Sequence, residues 1–201
     1  MTEQEIKSPV QQALGDVWQQ LPAGLQAHYR INGGVHQERG HLDVEYPRWF
    51  QWPLNILVKM GALLNRRGKA VPTTVERKIR NGQEFWFRSL VFPDGETMTF
   101  TSQTACVAPM QIIEFSNGFL GLRMTLSFAD DCLRYHSDGY VLKLADKLIR
   151  IPEWLALGYA SIEERALTEN SFAMDFTLKH PLFGQIFRYT GEFEVRPLIS
   201  S

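Results

Sequence analysis

The chain has 201 residues, of which 44% are hydrophobic and 21% charged, and a formal net charge of −1. That length fits a single domain over residues 1–201, with a core large enough to need no staples. The near-neutral balance argues against a nucleic-acid partner held by bulk phosphate attraction. The polar, acidic start Met1–Lys7 lacks the basic and apolar regions of a secretory leader. The most apolar window, Trp49 to Leu64, is broken by Gln51, Asn55 and Lys59 and is too short to span a bilayer. The expectation is therefore a cytoplasmic protein with no membrane span. Cys106 and Cys132 form no CxxC pair; free thiols are expected, with a disulfide left open.

In chain order, Ser8-Pro9 reads as an N-cap with proline at the first helical position. Leu14, Val17, Trp18, Leu21 and Leu25 recur at helical spacing, and Pro22 divides the segment into two short helices. Asn32-Gly33-Gly34 ends it. His41 to Glu45 alternates as a strand, stopped by Pro47. Trp49 to Leu64 is expected to be helical, with Phe50, Leu54, Leu57, Val58 and Gly61 on one stripe and Pro53 in the first turn. Asn65 to Lys69 reads as a solvated basic turn.

From Val71 the period changes from helical to alternating. Thr73 to Arg80 ends at Asn81-Gly82, a tight-turn signal. Glu84 to Phe92, Thr97 to Val107 and Gln111 to Ser116 follow, separated by turn residues and closed by Asn117-Gly118. Leu120, Leu122, Met124, Leu126 and Phe128 form one apolar face. Leu133 to His136 and Tyr140 to Leu144 flank Ser137-Asp138-Gly139 as an expected hairpin. Phe172 to Leu178 and Phe187 to Val195 alternate again across the His180–Gly184 turn. Residues 152–165 are the least readable, either a strand pair or a short helix near Pro152-Glu153-Trp154. The whole predicts a mainly antiparallel β (α+β) fold, a curved or closed meander β-barrel of roughly nine or ten strands with N-terminal helices. Barrels of that size often enclose a ligand cavity.

One strand carries a charge that asks for an explanation. In Glu84–Phe92, Trp86, Arg88, Leu90 and Phe92 share one face, and Phe85, Phe87, Ser89 and Val91 the other. Both faces are largely apolar, so the strand is expected to be covered on both sides, by the barrel interior and by helices. A guanidinium enclosed there needs a partner. Glu114 is the best candidate, with Glu45 and Glu192 as others. The pair then serves to fix strand register, or Arg88 anchors an anionic head group; an exposed strand end is the third choice.

Other chemistry is weakly signalled. No GxGxxG, Walker A loop, GxSxG or HExxH occurs, so no cofactor, metal or nucleophile is expected. His28 reads as a hydrogen-bonded packing residue, Cys106 as a core thiol and Asp130-Asp131 as a solvated turn.

Leu21-Pro22-Ala23-Gly24-Leu25-Gln26-Ala27-His28-Tyr29, Trp86-Phe87-Arg88-Ser89, Glu114 with its following glycine turn, Pro152-Glu153-Trp154-Leu155 and Tyr189-Thr190-Gly191-Glu192 carry a resemblance over nearly the whole chain. In their order and spacing the chain resembles a bacterial family, domain of unknown function 4166. Some members stand alone and others are fused behind a nucleotide-binding oxidoreductase-like domain. The resemblance implies a small accessory or ligand-binding module and supplies no catalytic residues.

Three functions remain open. The first is a noncatalytic binding module for a small amphipathic or lipid-like ligand in a barrel cavity, with Trp86, Arg88, Glu114 and Tyr189 as the ligand-binding candidates. The second is an enzyme acting on a small organic or lipid-like substrate through an enclosed carboxylate such as Glu114. The third is a module docking onto a separate oxidoreductase, recognisable by an exposed apolar patch.

Overall fold

The computed structural model describes residues 6–31, 35–60, 63–116, 118–144 and 147–196. Three expectations fall outside them: the Asn32-Gly33-Gly34 turn, Gly61 of the helical stripe, and Asn117.

Among the described residues, alternating side chains build an antiparallel meander of eleven strands. They are β1 His36–Glu45, β2 Gly68–Arg80, β3 Gln83–Val91, β4 Thr97–Ala108, β5 Gln111–Ser116, β6 Leu120–Ala129, β7 Cys132–Leu144, β8 Lys147–Ile151, β9 Tyr159–Thr168, β10 Ser171–His180 and β11 Gly184–Arg196. β1 pairs with β11, and β7 pairs with both β6 and β9, so ten strands close into a barrel with β8 outside it. Closure removes the unpaired edges that an open sheet would expose.

The two ends of the barrel are closed differently. One end carries the turns at Asn81-Gly82, 109–110, Asp130-Asp131 and 169–170. Asn81 and Gly82 both take positive φ, as a two-residue hairpin turn requires. Helices α1 (Pro9–Leu14) and α2 (Ala23–Tyr29) plug this end. The Ser8 hydroxyl caps α1 by accepting from the Gln11 amide at 3.1 Å. The Met110 amide then donates to the Ala13 carbonyl at 2.8 Å, tying α1 to the β4–β5 turn. α2 lies directly on the β9–β10 turn, where any Cβ on Gly24 would collide with the carbonyl oxygens of Thr168 and Ser171. The other end carries the turns at 93–95 and 181–183, the 152–158 loop, and α3 (Gln51–Leu57). Single 3₁₀ turns flank α3, so the helical stretch runs from Arg48 to Met60.

Several expectations need correction. Ser137-Asp138-Gly139 is not a hairpin turn. β7 runs through it without reversing, and the register against β6 shifts there, between Leu122 and Met124. Gly139 takes φ 90°, and the kink marks where β7 changes partner, from β9 before it to β8 after it. A turn-like tripeptide has been spent on a β-bulge. Residues 152–165 hold both elements in part: a 3₁₀ turn at Glu153–Leu155, then β9. β1 begins at His36, earlier than the alternation from His41 suggests. The outer face of β3 is not covered by helices, since Phe87 and Val91 are exposed there. The helices sit at the barrel ends, so only the inner face of β3 is enclosed. The basic turn is only partly solvated: Arg66 pairs with Asp94 and Glu96, and its guanidinium lies 4.4 Å from the Phe92 ring centre.

Candidate functional site

The barrel interior is filled from both walls, but not completely. A cavity of about 90 Å³ lies toward the α3 end, among Leu64, Leu122, Tyr140, Leu157, Leu178 and Phe187. A second, of about 80 Å³, lies above the α1–α2 plug, against Val10, His28, Glu38, Trp86, Tyr135 and Glu164. Both exceed what a single water needs. Arg88, Phe100, Glu114, Ile162 and Tyr189 line both, so the two are neighbours across one girdle of side chains.

Arg88 stands at the centre of that girdle. β4 lies between β3 and β5, and the guanidinium reaches across it. Nη1 donates to Ser102 Oγ at 2.7 Å and Nη2 to Glu114 Oε1 at 3.3 Å. Its guanidinium carbon is 5.0 Å from the Trp86 ring centre and 5.0 Å from that of Phe100. The partner is therefore Glu114. Glu45 is exposed and Glu192 pairs in register with the exposed His41 on the outer surface, so neither reaches it. The Arg88 and Glu114 side chains keep 16% and 24% of their accessible surface although both point into the barrel. Tyr189 stacks on Phe176 at 4.7 Å, and burial holds its hydroxyl well above the usual phenol range. Trp86 lines only the inner cavity, and its indole N–H has no hydrogen-bond partner among the described residues. The four residues singled out in the sequence thus lie together inside the barrel.

A second cluster, buried between the inner cavity and the helical plug, was not singled out beyond His28. Arg77, on β2, is fully buried. Its Nη2 is 2.9 Å from Glu38 Oε1 and its Nη1 2.9 Å from Glu84 Oε1. Glu38 also receives His28 Nδ1 at 2.7 Å. The other ring nitrogen of His28 lies 3.9 Å from Glu164 Oε1. Tyr29 donates to Glu164 Oε2 at 2.5 Å, and Tyr135 donates to Tyr29. His28 is the hydrogen-bonded packing residue that the sequence suggests. It packs against Phe172 at 3.9 Å between ring centres while linking Glu38 to Glu164.

Charges in this cluster are unevenly compensated. Burial works against ionising Glu38, but Arg77 and His28 together overcome it and hold its carboxyl below the usual range. Burial outweighs the pull of Arg77 and His28 on Glu84, whose Oε2 has no hydrogen-bond partner among the described residues, and its carboxyl is pushed up. Burial likewise raises Glu164 against the pull of His28 and Tyr29. Burial, then the Glu164 charge, pushes the Tyr29 and Tyr135 hydroxyls far above the usual phenol range. Burial opposes the Arg77 charge too, yet Glu38 and Glu84 keep it firmly protonated.

Each of these charges stands in phase with apolar neighbours. Arg77 follows Val75 and precedes Ile79 on the inward side, Glu84 shares the phase of Trp86, and Glu38 that of Leu42 and Val44. That phase was the available signal. Cys106 and Cys132 are both free, with Cys106 half-buried and Cys132 buried. Among the described residues, no group of three or more His, Cys, Asp or Glu side chains is arranged to hold a metal ion. No helix among them is long and apolar enough to cross a membrane.

Fold and interior together define an antiparallel β-barrel, plugged by helices at one end, with a polar girdle and a sealed ionic floor. The family described as Domain of unknown function (DUF4166) matches residues 21–193, and the chain belongs to it. No curated protein matches the chain.

Proposed function

We propose that the barrel is a noncatalytic binding module for a small amphipathic or lipid-like ligand, held inside with its polar end at Trp86, Arg88, Glu114 and Tyr189. The observation that carries this reading is the accessibility of the Arg88–Glu114 pair, an ion pair inside a barrel that has kept part of its surface beside two apolar cavities. A pair serving only to fix strand register gains nothing from that space. The Glu114 contact is the longer of the two that Arg88 makes. An anionic head group would take over that side of the guanidinium.

The test compares a fatty acid with the alcohol of equal chain length. The native protein should prefer the acid, and Arg88→Leu should weaken acid binding about tenfold while sparing the alcohol. Unchanged affinity and selectivity in the variant would count against the anchoring role.

A second reading, an enzyme acting on a small organic or lipid-like substrate, is favoured by one observation. Glu38 accepts from His28 Nδ1 and so directs the other ring nitrogen toward Glu164, at the wall of the inner cavity. A carboxylate that fixes a histidine's orientation beside a second, enclosed carboxyl group is an arrangement used in general acid–base chemistry. Glu164 is a more enclosed acid than Glu114 for that purpose. Conversion of a bound compound, rather than its simple retention, separates the two readings.

A further inference from the structure

The barrel end opposite the helical plug is surrounded by apolar side chains that face outward. Trp52 and Leu182 are 73% and 80% exposed, and Trp49, Trp154, Leu155 and Phe183 are each more than half exposed. Single exposed apolar residues are ordinary, but a cluster of this kind marks a contact surface. The segments that bear them meet. The Trp49 and Phe183 rings are 5.3 Å apart, His180 lies 4.8 Å from Phe183, and His180 Nε2 is 3.1 Å from the Trp154 carbonyl.

The same segments also line the outer cavity. Leu63 and Leu64 follow the α3 region, Leu157 follows Trp154-Leu155, and Leu178 and Phe187 flank the turn that bears Leu182-Phe183. Each segment turns one apolar side chain into the cavity and another away from the protein. The rim is also basic. Over residues 48–60, 143–155 and 179–185 the sequence has Arg48, Lys59, Lys143, Lys147, Arg150 and Lys179 against Asp146 and Glu153, and the exposed acids Asp94 and Glu96 of the neighbouring turn are both engaged by Arg66. All six basic residues are exposed, whereas Glu153 is half-buried and bonded to Ser137.

We propose that this mouth docks on an anionic lipid bilayer surface. Tryptophans interleaved with lysines and arginines suit the interfacial zone, where rings sit at headgroup depth and cations meet anionic lipid. A second copy would set these cations against one another, which disfavours self-association as the occupant. The inference rests on the ligand-binding reading only in making the bilayer the source of the ligand. Docking itself is measured without any ligand.

The test is flotation of the full chain with phosphatidylcholine vesicles, with and without phosphatidylglycerol, alongside a Trp52→Ser, Leu182→Ser double variant. Both side chains are so exposed that the fold should be unaffected, as circular dichroism would verify. The expected result is binding to the phosphatidylglycerol vesicles, weakened by salt, and about tenfold weaker in the variant. No flotation, or flotation that the variant leaves unchanged, overturns the proposal. So does a dimer that buries the rim and is lost in the variant, since the occupant is then a second copy. A protein that yields an extractable ligand but does not bind vesicles overturns docking alone and leaves the ligand-binding reading standing.

Discussion

Arg77 and Arg88 flank the same indole. Their guanidinium carbons lie 4.8 Å and 5.0 Å from the Trp86 ring centre, and both point into the barrel from neighbouring strands. One is sealed and the other is reachable. Arg77 has no exposed surface and is held by two buried carboxylates. Arg88 has one carboxylate and one hydroxyl, and space beside it. Burial between two carboxylates is what bracing requires. Partial exposure beside a cavity is what a ligand requires. The difference lies in what surrounds the two residues, not in residue type or in inward direction.

The largest effect should come from breaking the sealed cluster. Arg77→Met leaves Glu38 and Glu84 buried without their cation and should cost about 3–5 kcal/mol in urea unfolding. Adding Glu84→Leu should restore part of the loss. A loss within experimental error for Arg77→Met would erase the distinction between the two arginines.

Glu164 gives an intermediate effect with a definite pH dependence. Its folded carboxyl is raised, so the folded protein holds that proton more tightly than the unfolded chain. Stability from this group is full below the ordinary carboxylate value of about 4.3 and falls as pH rises toward the folded value. Glu164→Gln should remove that decline. Glu38 has the opposite sign, losing its contribution as pH falls through its lowered folded value. Urea denaturation of wild type and Glu164→Gln from acid to neutral pH should therefore show the variant gaining on wild type as pH rises. Parallel curves would contradict the shift.

The smallest stability effect belongs to the reachable pair. Arg88→Leu should cost about 1 kcal/mol or less, because a partly solvated ion pair contributes little net. Its consequence should appear in ligand selectivity instead. A cost as large as that of Arg77→Met would make Arg88 a second brace.

Much of the barrel was legible in the sequence because the strands alternate and their turns carry Asn-Gly, Asp-Gly and Asp-Asp. Where a turn signal serves a bulge, as at Ser137–Gly139, local composition does not reveal whether the chain reverses; only the partners of β7 decide that. β9 was obscured because its inward phase, Ala160, Ile162, Glu164 and Ala166, has a charge in its middle. The girdle residues were legible because Arg88 and Glu114 interrupt strongly apolar strands. Arg77 and Glu84 were hidden among the charges of Glu76-Arg77-Lys78 and the strand end, where a charge is ordinarily solvated. Closure of the barrel turns them inward, and that closure depends on pairing between β1 and β11, at opposite ends of the chain.

Native mass spectrometry of the protein purified from its own host would detect a ligand carried in the barrel. The expected result is a reproducible added mass that is released on unfolding and recovered in organic solvent. The mass of the protein alone, unchanged after exposure to a lipid extract of that host, would contradict it.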